Sequence, residues 1–368
     1  MHKKVFSVIL VFIMLLGICI PVSAQVTKSN STDIYIQTET VPEEVYAHVK
    51  ASIASMVSGI YDPTTITVGT PFKVCGSYYD LYYVVVYQNG KAVGTYRVYE
   101  EDGAYTGIYS ESAEIITKIQ TVALTTSRKP ASIVAGNHED LYAVVDSNVY
   151  SLLEDPTGKE TPVNSLLEKR SSNRSISIVN IADNIDFDIP NNSRTSPTSK
   201  TLDIGWDETQ ASDEKWCNAY CTASILRYIE DVTTSTISAK KIMQATYDNV
   251  SEAVLKTKSL STTQADDYAN TRGIDPVYTA SRRTYAQVTS EIISQKPLIF
   301  ICDNVTTGAK KAHAFVCRGY YDNNGNSYYS VWNPWETQYE KIYTSNNTYT
   351  TASGNTSFKW TSTMYDWD

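Results

Sequence analysis

The residues able to do covalent chemistry are few: 6 Cys and 4 His in a chain of 368 residues. Cys217 stands at the start of a predicted helix, behind Ser212-Asp213-Glu214, whose side chains are suited to cap it. A thiol there faces the positive end of the helix dipole, which favours thiolate, the nucleophilic form. An imidazole would complete the activation by forming an ion pair. Of the histidines beyond the first residues, His48 and His138 lie early in the chain and His313 alone lies late. His313 opens the apolar run Ala314-Phe315-Val316-Cys317, just after Lys310 and Lys311. In Tyr329-Ser330-Val331-Trp332-Asn333-Pro334-Trp335, the Asn333 amide oxygen is able to hold an imidazole in one tautomer, and Trp335 to cover that bond from water. Gln210, shortly before Cys217, is placed to join the Cys217 backbone N–H as an oxyanion donor. Each residue also has a plain structural reading. A lone His in a strand is usually structural, an Asn before Pro is an ordinary turn residue, and buried Cys is a small hydrophobe, a description that suits Cys221.

Taken together and in order, Gln210, Trp216-Cys217-Asn218-Ala219, His313-Ala314 with Gly319-Tyr320, and Asn333-Pro334-Trp335 resemble papain-like cysteine peptidases. Trp216–Tyr228 and the Trp-Asn-Pro-Trp run are most similar to the compact secreted bacterial branch that includes staphopain and the C39-like peptidases. The resemblance covers about Thr201–Asp368. It implies an α+β papain-like fold, with a helical part carrying the catalytic helix and then an antiparallel sheet or half-barrel. By it, Cys217 is the nucleophile, His313 the general base and acid, Asn333 the orienting residue and Gln210 the oxyanion donor. Substrates would be proteins or peptides, with no metal or organic cofactor. Two departures are visible: Gln210 lies one residue further from the cysteine than in papain, and Asn218 stands where papain has Trp. Two rival readings stand beside this one: another Cys–His hydrolase, such as a cell-wall amidase or a transglutaminase-like enzyme, and an inactive secreted binding module.

The elements that must position these residues follow from periodicity. Cys217–Asp231 reads as a helix with Cys221, Ile225, Leu226 and Ile229 inward, followed by helical patterns at Ile237–Tyr247, Thr263–Thr271 and Tyr285–Ser294. After Pro297 the pattern turns to strands: Leu298–Cys302, His313–Tyr320, Tyr328–Trp332 and Tyr339–Tyr343. The N-terminal region reads as a small α+β layer, a helix on a meander. Residues 41–57 form an amphipathic helix with Val45, Val49, Ile53 and Met56 on one face. Strand material follows at Thr65–Cys75, then Leu81–Tyr87 and Ala92–Tyr99 join across Asn89-Gly90, a strong hairpin signal. Further strand-like runs are Glu114–Leu124, Leu141–Val145 and Val149–Leu153. Residues 164–200, polar and with basic residues a protease can cut beside, read as a linker.

Composition sets the location. Lys3 and Lys4, the apolar run Val5–Ile20 and Val22-Ser23-Ala24 read as a secretory signal over residues 1–24, cleaved before Gln25. No later apolar stretch reaches the roughly 18 residues that span a bilayer. A net charge of −9, with neither half basic, disfavours nucleic-acid and anionic-membrane partners. The expected organisation is signal (1–24), cystatin-like α+β pro-domain (25–163), linker with processing sites (164–200) and peptidase domain (201–368). The first region is similar to the pro-regions of secreted bacterial cysteine peptidases such as streptopain. It would act in cis as inhibitor and folding aid. The five remaining thiols, Cys75, Cys217, Cys221, Cys302 and Cys317, form no ladder for zinc or a disulfide framework, and leave at least one thiol unpaired within the chain.

Overall fold

The structure, a computed structural model, describes residues 33–156, 158–171, 176–189, 198–211, 213–306, 312–323, 325–346 and 348–368. The expected signal with Cys19, the stretches 172–175 and 190–197 within the expected linker, and Ser212, Lys310 and Lys311 lie outside the described residues.

In chain order the N-terminal region runs β1 (Tyr35–Glu39), α1 (Glu43–Val57), β2 (Ile66–Gly69), β3 (Phe72–Lys73), β4 (Leu81–Gln88), β5 (Lys91–Glu101), β6 (Ala104–Ser110), α2 (Glu114–Thr125), β7 (Ser132–Ala135), β8 (Leu141–Val145) and β9 (Asn148–Leu153). Then come α3 (Val163–Ser171), β10 (Ile176–Asn180), β11 (Asn184–Ile185) and β12 (Thr198–Thr201). The C-terminal region holds α4 (Cys217–Glu230), α5 (Ala239–Thr246), α6 (Glu252–Lys256), α7 (Thr262–Asn270), β13 (Val277–Thr279) and α8 (Tyr285–Ile293). It closes with β14 (Leu298–Asn304), β15 (Ala312–Asn323), β16 (Asn326–Trp332), β17 (Tyr339–Tyr343), β18 (Thr348–Thr350) and β19 (Ser357–Tyr365). Helices precede an antiparallel sheet in this second region, an arrangement compatible with a papain-like fold.

The β4–β5 hairpin shows how local chemistry builds the sheet. Asn89 and Gly90 both take positive φ, 51° and 76°, as the tight turn requires, and the strands pair from Leu81–Tyr99 to Gln88–Lys91. Both faces of β4 are covered, so its sequence is a continuous apolar run. Leu81, Tyr83, Val85 and Tyr87 join one core cluster, while Tyr82, Val84 and Val86 join the cluster beneath α1. That helix buries Val45, Val49, Ile53 and Met56 there, as its periodicity predicts.

Three expectations are revised. Glu114–Leu124 is a helix: Ile116, Ile119, Val122 and Ala123 are its buried residues, a helical spacing that its β-branched content masked in the sequence. Thr65–Cys75 is not one strand, because Pro71, which has no N–H to donate, separates β2 from β3. Residues 164–200 are not free of structure: α3, β10, β11 and β12 occupy their described parts, and these strands pair with β1, β2 and β15 respectively. A polar composition concealed them, because edge strands keep side chains in water.

Between the two regions runs a sheet seam. β6 pairs antiparallel with β17, Ile108 opposite Ile342 and Ser110 opposite Glu340, so the sheet continues through β4-β5-β6-β17-β16-β15-β14-β19. By contact, Thr32–Asp368 form one compact unit. Buried charges reinforce the seam. Arg97 Nη2 meets Glu340 Oε1 at 2.6 Å, with side-chain exposures of 2% and 0%. Lys341 Nζ donates to Met56 O (2.9 Å) and Ser58 O (2.7 Å) at the end of α1, and lies 3.6 Å from the Tyr321 ring centroid. Ser55 Oγ meets Tyr328 OH at 2.5 Å. Breaking a buried ion pair by removing one partner strands the other charge. Arg97→Met is therefore expected to lower the stability of the full chain by about 3–5 kcal/mol in urea unfolding. Adding Glu340→Leu should recover a large part of that loss, and simple additivity of the two would show that the charges are not coupled.

Candidate active site

Helix α4 begins at Cys217 itself. Trp216 is its N-cap and no side chain caps it. The residues expected to do so are engaged elsewhere: Asp213 pairs with Lys256 at 2.7 Å, and Glu214 accepts from Tyr220 OH at 2.7 Å. Position is held instead by the two neighbours of the cysteine. Trp216 Nε1 donates to Leu255 O (3.1 Å) on α6, and Asn218 Nδ2 to Leu260 O (3.2 Å) before α7. The apolar side of the helix packs Cys221, Ile225 and Leu226 into the core, with Cys221 the structural cysteine its position suggests.

Cys217 is half-buried. Burial pushes its thiol up, while the backbone amides of Ala314, Asn218 and Cys217 pull it down, and burial wins. The expectation of a favoured thiolate at the helix start is therefore not met. The helix amides do act in the expected direction, but desolvation outweighs them. The Ala314 amide also places the thiol beside the opening of β15, where His313 lies.

His313 is 3% exposed and bonded through Nε2 to Asn333 Oδ1 at 2.8 Å. Trp335 stacks on the imidazole with centroids 4.0 Å apart and planes 28° from parallel. Phe315 at 4.8 Å and Phe358 at 5.0 Å complete an aromatic enclosure. This burial lowers the imidazole from 6.5 to about 4, against the opposing pull of Asn333. Asn333 Oδ1 also accepts the backbone N–H of Trp335 at 3.2 Å. A backbone N–H only donates, so this contact identifies the oxygen of the amide. Nε2 must then carry a proton, and the neutral ring keeps its basic lone pair on Nδ1.

Gln210 belongs to the same cluster. Its backbone N–H donates to Pro334 O at 2.8 Å, and its Nε2 donates to Glu214 O at 2.7 Å. One wall of the pocket beside it carries Gln210, Asn333 and Trp335; Leu153, Glu154 and Pro156 of the N-terminal region form another part. Glu139 of that region also borders it, holding Ser353 Oγ at 2.6 Å. The fold thus gathers Cys217, His313, Asn333, Trp335 and Gln210, drawn from three separated stretches of chain. Sequence reasoning missed Phe358, Tyr349 and Glu340 around them, which carry no local motif. Cys302 and Cys317 form no disulfide: in the β14–β15 register Cys302 faces His313 and Cys317 faces Leu298. His48 is structural, with Nε2 2.8 Å from Tyr96 OH in the α1 interface. Among the described residues no group of three or more His, Cys, Asp or Glu is placed to hold a metal ion. No helix of the described residues is long and apolar enough to cross a membrane.

Residues 199–367 match the family model of the staphopain peptidase C47. The match is consistent with a papain-like cysteine peptidase of bacterial type over this region, and the matched family is one of cysteine-type peptidases, which are hydrolases. A search of curated proteins found no match.

An imidazole whose neutral form is favoured by burial contributes stability that is fully present above its ordinary 6.5 and is lost as pH falls through about 4. In the full chain carrying Cys217→Ala, an NMR titration should accordingly find His313 neutral at pH 6, with its midpoint near 4. A midpoint at the ordinary value would show that the ring is open to water.

Proposed function

We propose that the protein is a secreted endopeptidase that hydrolyses peptide bonds through Cys217, His313 and Asn333, and that it is made as a zymogen. The observation that carries the triad reading is the pair of bonds to Asn333 Oδ1, which leaves Nδ1 of His313 as the base, with the Cys217 thiol bonded to the backbone amide of Ala314, the next residue in the chain. Nδ1 takes the thiol proton, the thiolate attacks a substrate carbonyl, and the oxyanion is met by the Cys217 backbone N–H. Gln210 has a second amide hydrogen beyond the one given to Glu214, and supplies the other oxyanion donor. The imidazolium then protonates the leaving amine, and water releases the thioester acyl-enzyme.

The zymogen reading rests on two observations. Leu153, Glu154 and Pro156 border the pocket that holds Gln210 and Trp335, and β6 completes the sheet at β17. A half-buried thiol pushed up and a buried imidazole pushed down together favour the neutral, unreactive pair. Removing residues 25 to about 200 opens the cleft to water and lets the ion pair form. Amide-hydrolysing rivals that act on the cell wall use the same nucleophile and base. The Asn333–Trp335 arrangement and the match over 199–367 favour protein substrates.

Casein should be cleaved and peptidoglycan left intact. Cys217→Ala and His313→Ala should each reduce casein hydrolysis by at least about a thousandfold. In Cys217→Ala the full chain should also persist uncut, if it normally processes itself. Full activity of the uncut wild-type chain would remove the zymogen reading while leaving the triad standing.

A further inference from the structure

The hydrogen bonds around Asn333 continue outward, and each has a defined direction. With Oδ1 turned to His313 and Trp335, the amide nitrogen faces the other way, where Nδ2 donates to Tyr349 OH at 3.3 Å. The Tyr349 oxygen, accepting that hydrogen, sends its own to Oε2 of Glu340. A carboxylate only accepts, which settles the direction of this bond. Oε1 of Glu340 receives Arg97 Nη2 at 2.6 Å, and a guanidinium only donates. The chain from Arg97 through Glu340, Tyr349 and Asn333 to His313 therefore has donors at its ends and no ambiguity between. Its members are buried: Arg97 2%, Glu340 0%, Tyr349 4%, Asn333 1%.

We propose that Tyr349 and Glu340 are positioning residues for the imidazole of His313, holding the Asn333 amide in the orientation whose oxygen faces Nε2. An Asn side chain is nearly symmetric in shape, so packing alone does not choose between its two flips; its partners do. Trp335 N–H selects from one side, and the Tyr349 hydroxyl, itself turned by Glu340, selects from the other. Buried bonds in series also polarise one another. The Glu340 carboxylate, reached from Asn333 through Tyr349, strengthens the pull of Oδ1 on Nε2 as the imidazole gains its proton. Arg97, contributed by the N-terminal region, anchors the outer end in the full chain. Tyr349 also packs its ring on Phe315, with centroids 4.6 Å apart, a contact that Phe would keep.

The proposal rests on the triad reading above, and its test is arranged so that the two can fail separately. The full chain, carried to the active form the wild type yields, is assayed for peptide hydrolysis and for alkylation of Cys217 by iodoacetate across pH. Tyr349→Phe should lower kcat about tenfold with KM unchanged, and should shift the acid limb of Cys217 alkylation toward higher pH. Glu340→Gln, whose amide oxygen still accepts from the hydroxyl but carries no charge, should lower kcat in the same sense as Tyr349→Phe but by a smaller factor, and an unchanged kcat would remove the role given to its carboxylate. In an Asn333→Ala background, Tyr349→Phe should cost nothing further in kcat, which a purely structural role does not predict. Unchanged kcat and pH profile in Tyr349→Phe, or additive losses in the double variant, would overturn the proposal. If Tyr349→Phe does not fold, difluorotyrosine placed at 349 keeps shape and hydroxyl while weakening the acceptor. A fall of a few-fold in kcat then supports the proposal, and no change overturns it. Cys217→Ala and His313→Ala run alongside: activity in either would mean that the triad reading is wrong, whatever Tyr349 does.

Discussion

One oxygen atom governs the site. Asn333 Oδ1 accepts from His313 Nε2 and from the Trp335 backbone N–H, and the second bond removes any freedom in the first. Because a backbone N–H cannot accept, the amide cannot flip without losing it, and the imidazole cannot change tautomer without losing its partner. The turn Asn333-Pro334-Trp335 after β16 creates this geometry, since it folds the N–H of Trp335 back onto the side chain two residues before it. The same turn lays the Trp335 ring over the imidazole. Orientation and exclusion of water thus come from one short segment.

Exclusion of water has a cost when it is complete. With aromatic rings around His313 and the N-terminal region along the adjoining pocket, the surroundings favour neutral partners over an ion pair. The helix start at Cys217 contributes amides in the favourable direction, but desolvation is the larger effect. Desolvation therefore acts on both partners in the same sense, toward the neutral thiol and the neutral imidazole.

The seam between β6 and β17 has the character of a protein interior. A buried guanidinium–carboxylate pair, a buried lysine amine held by two carbonyls and a tyrosine–serine bond cross it. Leaving such groups without their partners is costly, so these contacts favour one register between the regions, even though Arg97 Nε itself has no hydrogen-bond partner. They also tie the seam to the site, because Glu340 bonds Arg97 on one side and Tyr349 on the other.

What the sequence alone determined was a set of candidate residues and the regular elements. Cys217, His313, Asn333 and Gln210 each have an ordinary structural reading and become legible as a candidate site only together, while helices such as Cys217–Glu230 follow from period. The Asn89-Gly90 hairpin was equally legible, because few residue pairs accept two positive φ values. Tertiary structure alone decided the rest. Arg97 and Glu340 stand 243 residues apart, and no local pattern announces that a guanidinium will meet a carboxylate across a seam. Strands in residues 164–200 take their hydrogen bonds from partners far away in sequence, so a polar composition reads as a linker until those partners are in place. The ionisation of Cys217 likewise depends on how much water the assembled cleft admits, which is a property of packing and not of the residues around it in the chain.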